Sequence, residues 1–325
     1  MDFVIEQHIR AFGEKRKKGQ YSEATIRNYV SAVRSLNRHV NGGKPFDDLD
    51  WARDQANVLK VVSLIPNLQT RRNLINGLIA SLQTMGFPIA VITPYEGARD
   101  LYNAQYQASG FATEKQALIM KAVSKADINT FLAKEILDPT LTENNTRFSA
   151  FTILSIHTAY PFRNELGDMK FIRRVLFDKM SNEDKQENNW LILEKGFGKQ
   201  SFALTRYKTH SYYGTKEIDV LPKYATLIHK ISQVRGLKLS TINHQPVFVS
   251  AAGDAFTPNK VSKHLADYTT TNLGNPISTT LMAKIFGAKV KDPSKPTPAE
   301  LDALKLQADI RGHSLVTRFL KYTDV

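Results

Sequence analysis

Apolar residues return at three- and four-residue spacing through most of this chain and abandon that spacing in one central block, which restricts the fold to helices around a small strand region. After the candidate N-cap Ser22, residues Ile26, Tyr29, Val30, Val33, Leu36 and Val40 fall on one stripe of a helix. A second helix is expected from Thr70 as N-cap through Leu74, Ile75, Leu78, Ile79 and Leu82, stopping at Gly86 and Pro88. Helical patterns recur at 117–123, 128–136 and 148–157, and again from Pro258 to the end, broken by a polar stretch at 289–298. Residues 190–193, 201–204 and 217–221 read as short strands, with Gly196-Phe197-Gly198 and Tyr213-Gly214-Thr215 as turns. Gly196 and Gly198 lack the third glycine and the following helix of a phosphate-binding fingerprint, so they mark a hairpin. The expected fold is mainly α with a small β-sheet: a helical domain at 1–88, a linker at 89–115 and an α+β domain at 116–325. Pro88, Pro94, Gly97 and Gly110 punctuate the linker, with 96–107 open to a helical reading.

Composition narrows the chemistry. With 42% hydrophobic and 23% charged residues the chain is of ordinary globular type, and 325 residues suit about two domains. No apolar run reaches about 18 residues and no charged-then-apolar leader opens the chain, so neither a membrane span nor a secretory signal is expected, and the protein is expected inside the cell. The absence of cysteine removes thiolate nucleophiles, disulfides and zinc fingers. A net charge of +13, spread along the chain, favours a polyanionic partner, most often nucleic acid. Arg27, Arg34 and Arg38 flank the first apolar stripe at spacings of seven and four; such a row is commonly a solvated face, but here it can track a phosphate backbone. Arg71 and Arg72, expected in the first turn of the second helix, oppose its dipole and suggest an anion at that end. Asp47, Asp48, Asp50 and Asp54 are taken as helix-capping carboxylates, and Lys15 to Lys18 as a weak import or DNA-contact motif.

Four segments of the second half carry the more specific signal. Residues 158–170 place Arg163 and Glu165 just after an apolar helix, in the form Pro161-Phe162-Arg163-Asn164-Glu165. Tyr207-Lys208-Thr209 is followed by a stretch ending Tyr213-Gly214-Thr215-Lys216-Glu217-Ile218-Asp219, and Gly312-His313-Ser314 stands nine residues from its histidine to Tyr322. In this combination the sequence resembles the tyrosine recombinases, site-specific DNA integrases and resolvases, and its motifs look closest to those of integrases from virophages and related large-DNA-virus elements. The resemblance implies a helical core-binding domain followed by an α+β catalytic domain. It implies Tyr322 as nucleophile, Arg163 as a phosphate clamp, Lys208 as the acid that protonates the leaving 5′-oxygen, and His313 as a phosphate donor.

A tyrosine hydroxyl, with a pKa near about 10, attacks phosphorus only when placed in line and when cations meet the developing charge. Arginines can supply that charge, so no metal and no cofactor is expected. The family carries a second arginine where this chain has Ala283, and the loss of such a group costs about 10³ to 10⁵ in rate in other phosphoryl transfers. Lys284 is a poor substitute, since one helical position turns a side chain by about 100°. Ala283 therefore leaves two readings: an enzyme, impaired or not, and a DNA-binding protein of the same fold. Double-stranded DNA is the expected partner, with a homotetramer on two duplexes, in a host nucleus or viral factory if the source is viral and otherwise in the cytoplasm or nucleoid. A type IB topoisomerase shares the chemistry, but the basic helical domain favours recombination. An RNA-binding reading lacks any aromatic sheet motif. His157, on an apolar helix, is taken as a core residue, and His210 as a DNA contact on the same side of a strand as Lys208.

Overall fold

The computed structural model describes residues 2–14, 21–42, 48–108, 113–287 and 295–311. The chain divides into two compact units, Met1–Phe111 and Ala112–Val325. The first is helical and the second combines helices with a four-stranded sheet.

The first unit comprises α1 (Asp2–Glu14), α2 (Glu23–Asn41), a 3-10 turn (Asp50–Arg53), α3 (Gln55–Ser63), α4 (Leu68–Thr84) and α5 (Ile89–Ala108). Ser22 caps α2 by accepting from the Thr25 N–H. The apolar stripe folds as expected: Ile26, Val30, Val33 and Leu36 are buried, and Tyr29 and Val40 pack at its edge. They meet Leu74, Ile75, Leu78, Ile79 and Leu82 of α4. Gly77 permits the close crossing of the two helices, because a Cβ there would lie 2.5 Å from the Ala32 Cβ. The cap of α4 is Asn67, whose side chain accepts from the Thr70 N–H; Thr70 is already inside the helix.

Residues 89–108, expected as a connection, form α5 and contribute Val91, Ile92, Tyr95 and Tyr102 to the first core. Pro94 looked like a break because it has no N–H to give the carbonyl four residues back. That carbonyl, Ala90 O, accepts instead from Gln55 Nε2 at 3.2 Å, and Tyr95 donates to Ala52 O at 2.6 Å.

The second unit begins with α6 (Glu114–Ala122), α7 (Lys125–Glu135), a 3-10 turn (Pro139–Glu143) and α8 (Asn145–His157). Then follow β1 (Lys170–Arg173), the short helices α9 (Arg174–Lys179) and α10 (Asn182–Lys185), β2 (Trp190–Leu193), β3 (Gln200–Leu204), the single turn α11 (His210–Tyr213) and β4 (Lys216–Asp219). α12 (Pro222–Val234), α13 (Pro258–Leu273), α14 (Thr279–Ile285) and α15 (Pro298–Arg311) complete the described residues. The sheet order is β1-β2-β3-β4; β1 and β2 run parallel and the other pairs antiparallel. Leu191, Leu193, Phe202 and Leu204 face the main core, whereas Trp190, Ile192 and Ala203 form a second cluster with Phe177. With both faces covered, β2 is a continuous apolar run. Gly196, at φ 66°, turns the β2–β3 hairpin.

α8 lies in the middle of this unit, buried from Phe148 to His157. Beyond it, Gly167 sits so tightly that a Cβ would lie 2.5 Å from both Pro258 N and Thr257 C. Those neighbours are backbone and cannot swing away, so the chain at 163–168 is pressed onto the start of α13. Gly167→Ala is expected to destabilise the second unit by about 2–3 kcal/mol; a urea midpoint equal to that of the unaltered protein would contradict this packing.

Candidate functional site

The arginine segment leaves α8 along a run of buried aromatic rings. Tyr160 and Phe162 stack at 5.5 Å, and both meet the Phe202 ring edge-on, at 5.4 and 5.1 Å. The Tyr160 hydroxyl donates to Asp219 O and accepts from the Leu221 N–H, each at 2.8 Å, so the loop is tied to the end of β4. Thr158 and Tyr224 join their hydroxyls at 2.8 Å. Arg163 follows on this fixed backbone, half-buried. Its N–H donates to Glu165 Oε2, and its carbonyl lies 3.4 Å from His157 Nε2.

Asn189, which the sequence analysis did not single out, joins this segment to the hairpin. Its amide nitrogen donates to Glu165 O at 3.1 Å and to Arg206 O at 3.0 Å, and its amide oxygen accepts from the N–H groups of Thr205 and Arg206. The side chain is 1% exposed, so every one of these bonds replaces water. Just beyond Arg206 come Tyr207 and Lys208, in a turn that leads into α11 and is not strand. Lys208 is exposed. Because the segment is not extended, Lys208 and His210 do not share a strand face; His210 opens α11 with its ring edge-on to Tyr207 at 5.8 Å. Burial pushes the Tyr207 hydroxyl up to about 12, and the charges of Asp309 and Glu165 add to the effect.

Two helices from the far end of the chain reach the same place. Thr279, on the first turn of α14, donates to Asn164 Oδ1 at 3.0 Å. Ala283 stands one turn later on the same face, 1% exposed. At the end of α15, Asp309 Oδ1 lies 2.6 Å from the ammonium of Lys216, which also donates to the Asp309 carbonyl. Lys216 is 8% exposed and lies over the Tyr213 ring at 4.9 Å. Arg311 ends α15. His313 and Tyr322, the expected phosphate donor and nucleophile, lie outside the described residues. So does the Lys15–Lys18 run.

In the first unit Arg27, Arg34 and Arg38 are exposed along α2. Arg71 and Arg72 stand one turn into α4, away from its N-terminal charge. Arg71 Nε donates to Ile65 O, and Arg72 bonds Asn103 and Gln69 and covers the Tyr106 ring at 4.3 Å. Their place is accounted for by tying α4 to α5 and to the loop before it. Of the acidic cluster, Asp54 caps α3, Asp48 accepts from the Asp50 N–H and Asp50 pairs with Arg53; Asp47 lies outside the described residues.

No family model matches this sequence, and no curated protein matches it. One matching solved structure is described as the crystal structure of XerA recombinase; it is 11% identical, with 99% of this chain and 94% of that chain covered, at a TM-score of 0.39. Among the described residues no helix is long and apolar enough to cross a membrane.

His157 is 1% exposed, and its Nδ1–H donates to Ile153 O at 2.8 Å. Burial, with the nearby Arg311 charge as a smaller cause, holds its imidazole below the ordinary value. The unfolded chain binds a proton there below about pH 6.5 and the folded chain does not, so stability is lost as the pH falls through that value. The unfolding midpoint is expected to drop between about pH 7.5 and about pH 5.5, and His157→Gln to flatten the drop, His264 contributing in the same direction. An unchanged slope in the variant would refute the assignment.

Proposed function

We propose that this protein breaks and rejoins DNA strands as a tyrosine recombinase, with Tyr322 as nucleophile. The observation that carries the proposal is the convergence of four segments far apart in sequence: the Arg163 loop, the Tyr207–Lys216 segment, the face of α14 that bears Ala283, and the end of α15 that leads into Gly312-His313. These are the segments whose motifs resemble that family, and a phosphodiester needs cations from several directions at once.

In the reaction the Tyr322 oxygen attacks phosphorus in line. A bond forms between the tyrosine oxygen and phosphorus while the phenol proton passes to solvent water, the bond to the 5′-oxygen breaks, and the 5′-oxygen takes a proton from Lys208. The strand is left joined to the protein through its 3′-phosphate, and reversal by a new 5′-hydroxyl reseals it. Arg163 and His313 hold the non-bridging oxygens. Exchange between two duplexes calls for four copies, and the form of the Arg163 and Tyr207 motifs points to an integrase of virophage type. The exposed arginines of α2 grip backbone phosphates.

A second reading, a DNA-binding protein that has lost cleavage, is favoured by Ala283, whose methyl group offers no charge. The two separate on a nicked duplex that traps the covalent product. The enzyme gives an adduct that Tyr322→Phe abolishes; tight binding without adduct supports the binder.

DNA affinity is expected to fall by about 10³ between about 50 and 200 mM salt if about six phosphates are neutralised. Replacing Arg27, Arg34 and Arg38 together with alanine is expected to reduce the slope of log affinity against log salt by about three. A slope unaltered in that variant, measured by fluorescence anisotropy, would remove α2 from the interface.

A further inference from the structure

The segments that carry Arg163 and Lys208 share one buried side chain. Asn189 stands just before β2, 1% exposed, with its amide nitrogen between Glu165 O at 3.1 Å and Arg206 O at 3.0 Å. Its amide oxygen accepts from the Thr205 N–H at 3.1 Å and from the Arg206 N–H at 2.9 Å. Two N–H groups point at the oxygen and two carbonyls at the nitrogen, so one orientation of the amide satisfies the site and the flipped one does not. Arg163 lies two residues before the first of these carbonyls, and Lys208 two residues after the second.

The backbone on either side of Lys208 is held as well. Before it, the Thr205 hydroxyl donates to Asn188 O, and Arg206 Nη1 donates to Glu187 O at 3.1 Å. After it, the Tyr207 hydroxyl donates to Gly214 O at 2.8 Å, and the His210 N–H to Tyr207 O at 3.0 Å. Lys208 itself is exposed. A lysine on its flexible stem meets a given atom repeatedly only when the backbone beneath it is fixed. A general acid contributes about 10² to 10⁴ in rate from within hydrogen-bond reach of the atom it protonates, and a misplacement of about 1 Å costs about 100-fold.

We infer that Asn189 is a positioning residue for strand cleavage: it sets the spacing between Lys208, which protonates the leaving 5′-oxygen, and Arg163, which holds the same phosphate. Asn189 is enclosed and acts through the backbone of Glu165 and Arg206. This inference rests on the recombinase proposal and adds to it the group that keeps acid and clamp in register.

The test uses the full chain on the nicked trapping duplex, in two forms: one with the ordinary scissile phosphate and one with a 5′-bridging phosphorothiolate, in which sulfur replaces the leaving oxygen. With a thiol pKa near about 8.5, the sulfur departs as thiolate when the phosphorus–sulfur bond breaks and needs no proton from a lysine. Asn189→Asp keeps the size of the side chain and turns an oxygen toward the two carbonyls in place of the amide donors. It is expected to slow adduct formation about 100-fold on the ordinary phosphate and less than about fivefold on the phosphorothiolate, the pattern also expected of Lys208→Ala. DNA affinity is expected to stay within about threefold, since no phosphate contact is removed. If Asn189→Asp does not fold, Asn189→Ser, whose hydroxyl is too short to span both segments, is expected to lose about tenfold on the ordinary phosphate and to recover on the phosphorothiolate. A folded variant that cleaves the ordinary phosphate at the original rate overturns the role of Asn189 alone. So does equal slowing on both duplexes, which is the result for a side chain needed only for folding. Equal slowing of Lys208→Ala on both removes the acid role of Lys208 and this inference with it, while cleavage by Tyr322 stands. Absence of any adduct with the unaltered protein on either duplex overturns the recombinase proposal and this inference together.

Discussion

The exit of the chain from α8 is held by four aromatic rings, Tyr160, Phe162, Phe202 and Tyr224, and the geometry of the candidate site follows from that packing. The rings meet at centroid distances of 5.1 to 5.7 Å in stacked and edge-on arrangements. Each such pair contributes about 0.5–1.5 kcal/mol beyond the area it buries. Their two hydroxyls are not left dry: that of Tyr160 joins the end of β4, and that of Tyr224 joins Thr158. One cluster therefore fixes the end of a helix, the end of a strand and the start of α12, and Arg163 is the next residue along. Packed ring faces permit little sliding, so the backbone that carries Arg163 is held in one place.

Polar groups then join what the rings have placed. Asn189 bonds the backbone of the arginine loop to the backbone of the hairpin, and Lys216 bonds β4 to the end of α15. Burial makes these bonds more than decoration, because breaking one leaves a desolvated donor or acceptor behind. Burial also explains the protonation pattern, since it disfavours the charged forms of His157 and Tyr207 while arginine cannot give up its proton. A neutral imidazole beside permanent guanidinium groups keeps the positive charge of the cluster on groups that do not titrate near neutral pH.

Much of the architecture was legible along the chain. The stripe of α2, the cap at Ser22, strand β2 and the hairpin turn at Gly196 follow from side-chain period and local turn chemistry, which depend on neighbours a few residues away. What failed did so for nonlocal reasons. Pro94 read as a break, and it is the amide of Gln55 that makes it harmless inside α5. β1 has only two apolar residues between charged ends and becomes a strand by pairing with β2, while α12 was not anticipated at all. The guanidinium groups of Arg71 and Arg72 join α4 to Ile65 and Asn103, contacts that no local pattern announces.

The sequence by itself determined the helical bulk of the protein, its basic character, the chemistry open to a chain without cysteine, and the order of the segments that carry Arg163, Lys208, Ala283, His313 and Tyr322. Period, charge and spacing are properties of the chain before it folds. Only the tertiary structure decided that Asn189 would join two of those segments, that Lys216 would be buried against α15 while Lys208 stayed in water, and that Arg311 would be enclosed near His157. Those outcomes depend on which buried surfaces meet across separations from 17 residues at Asn189 to 93 and more at α15, where desolvation rather than local conformation sets the energy.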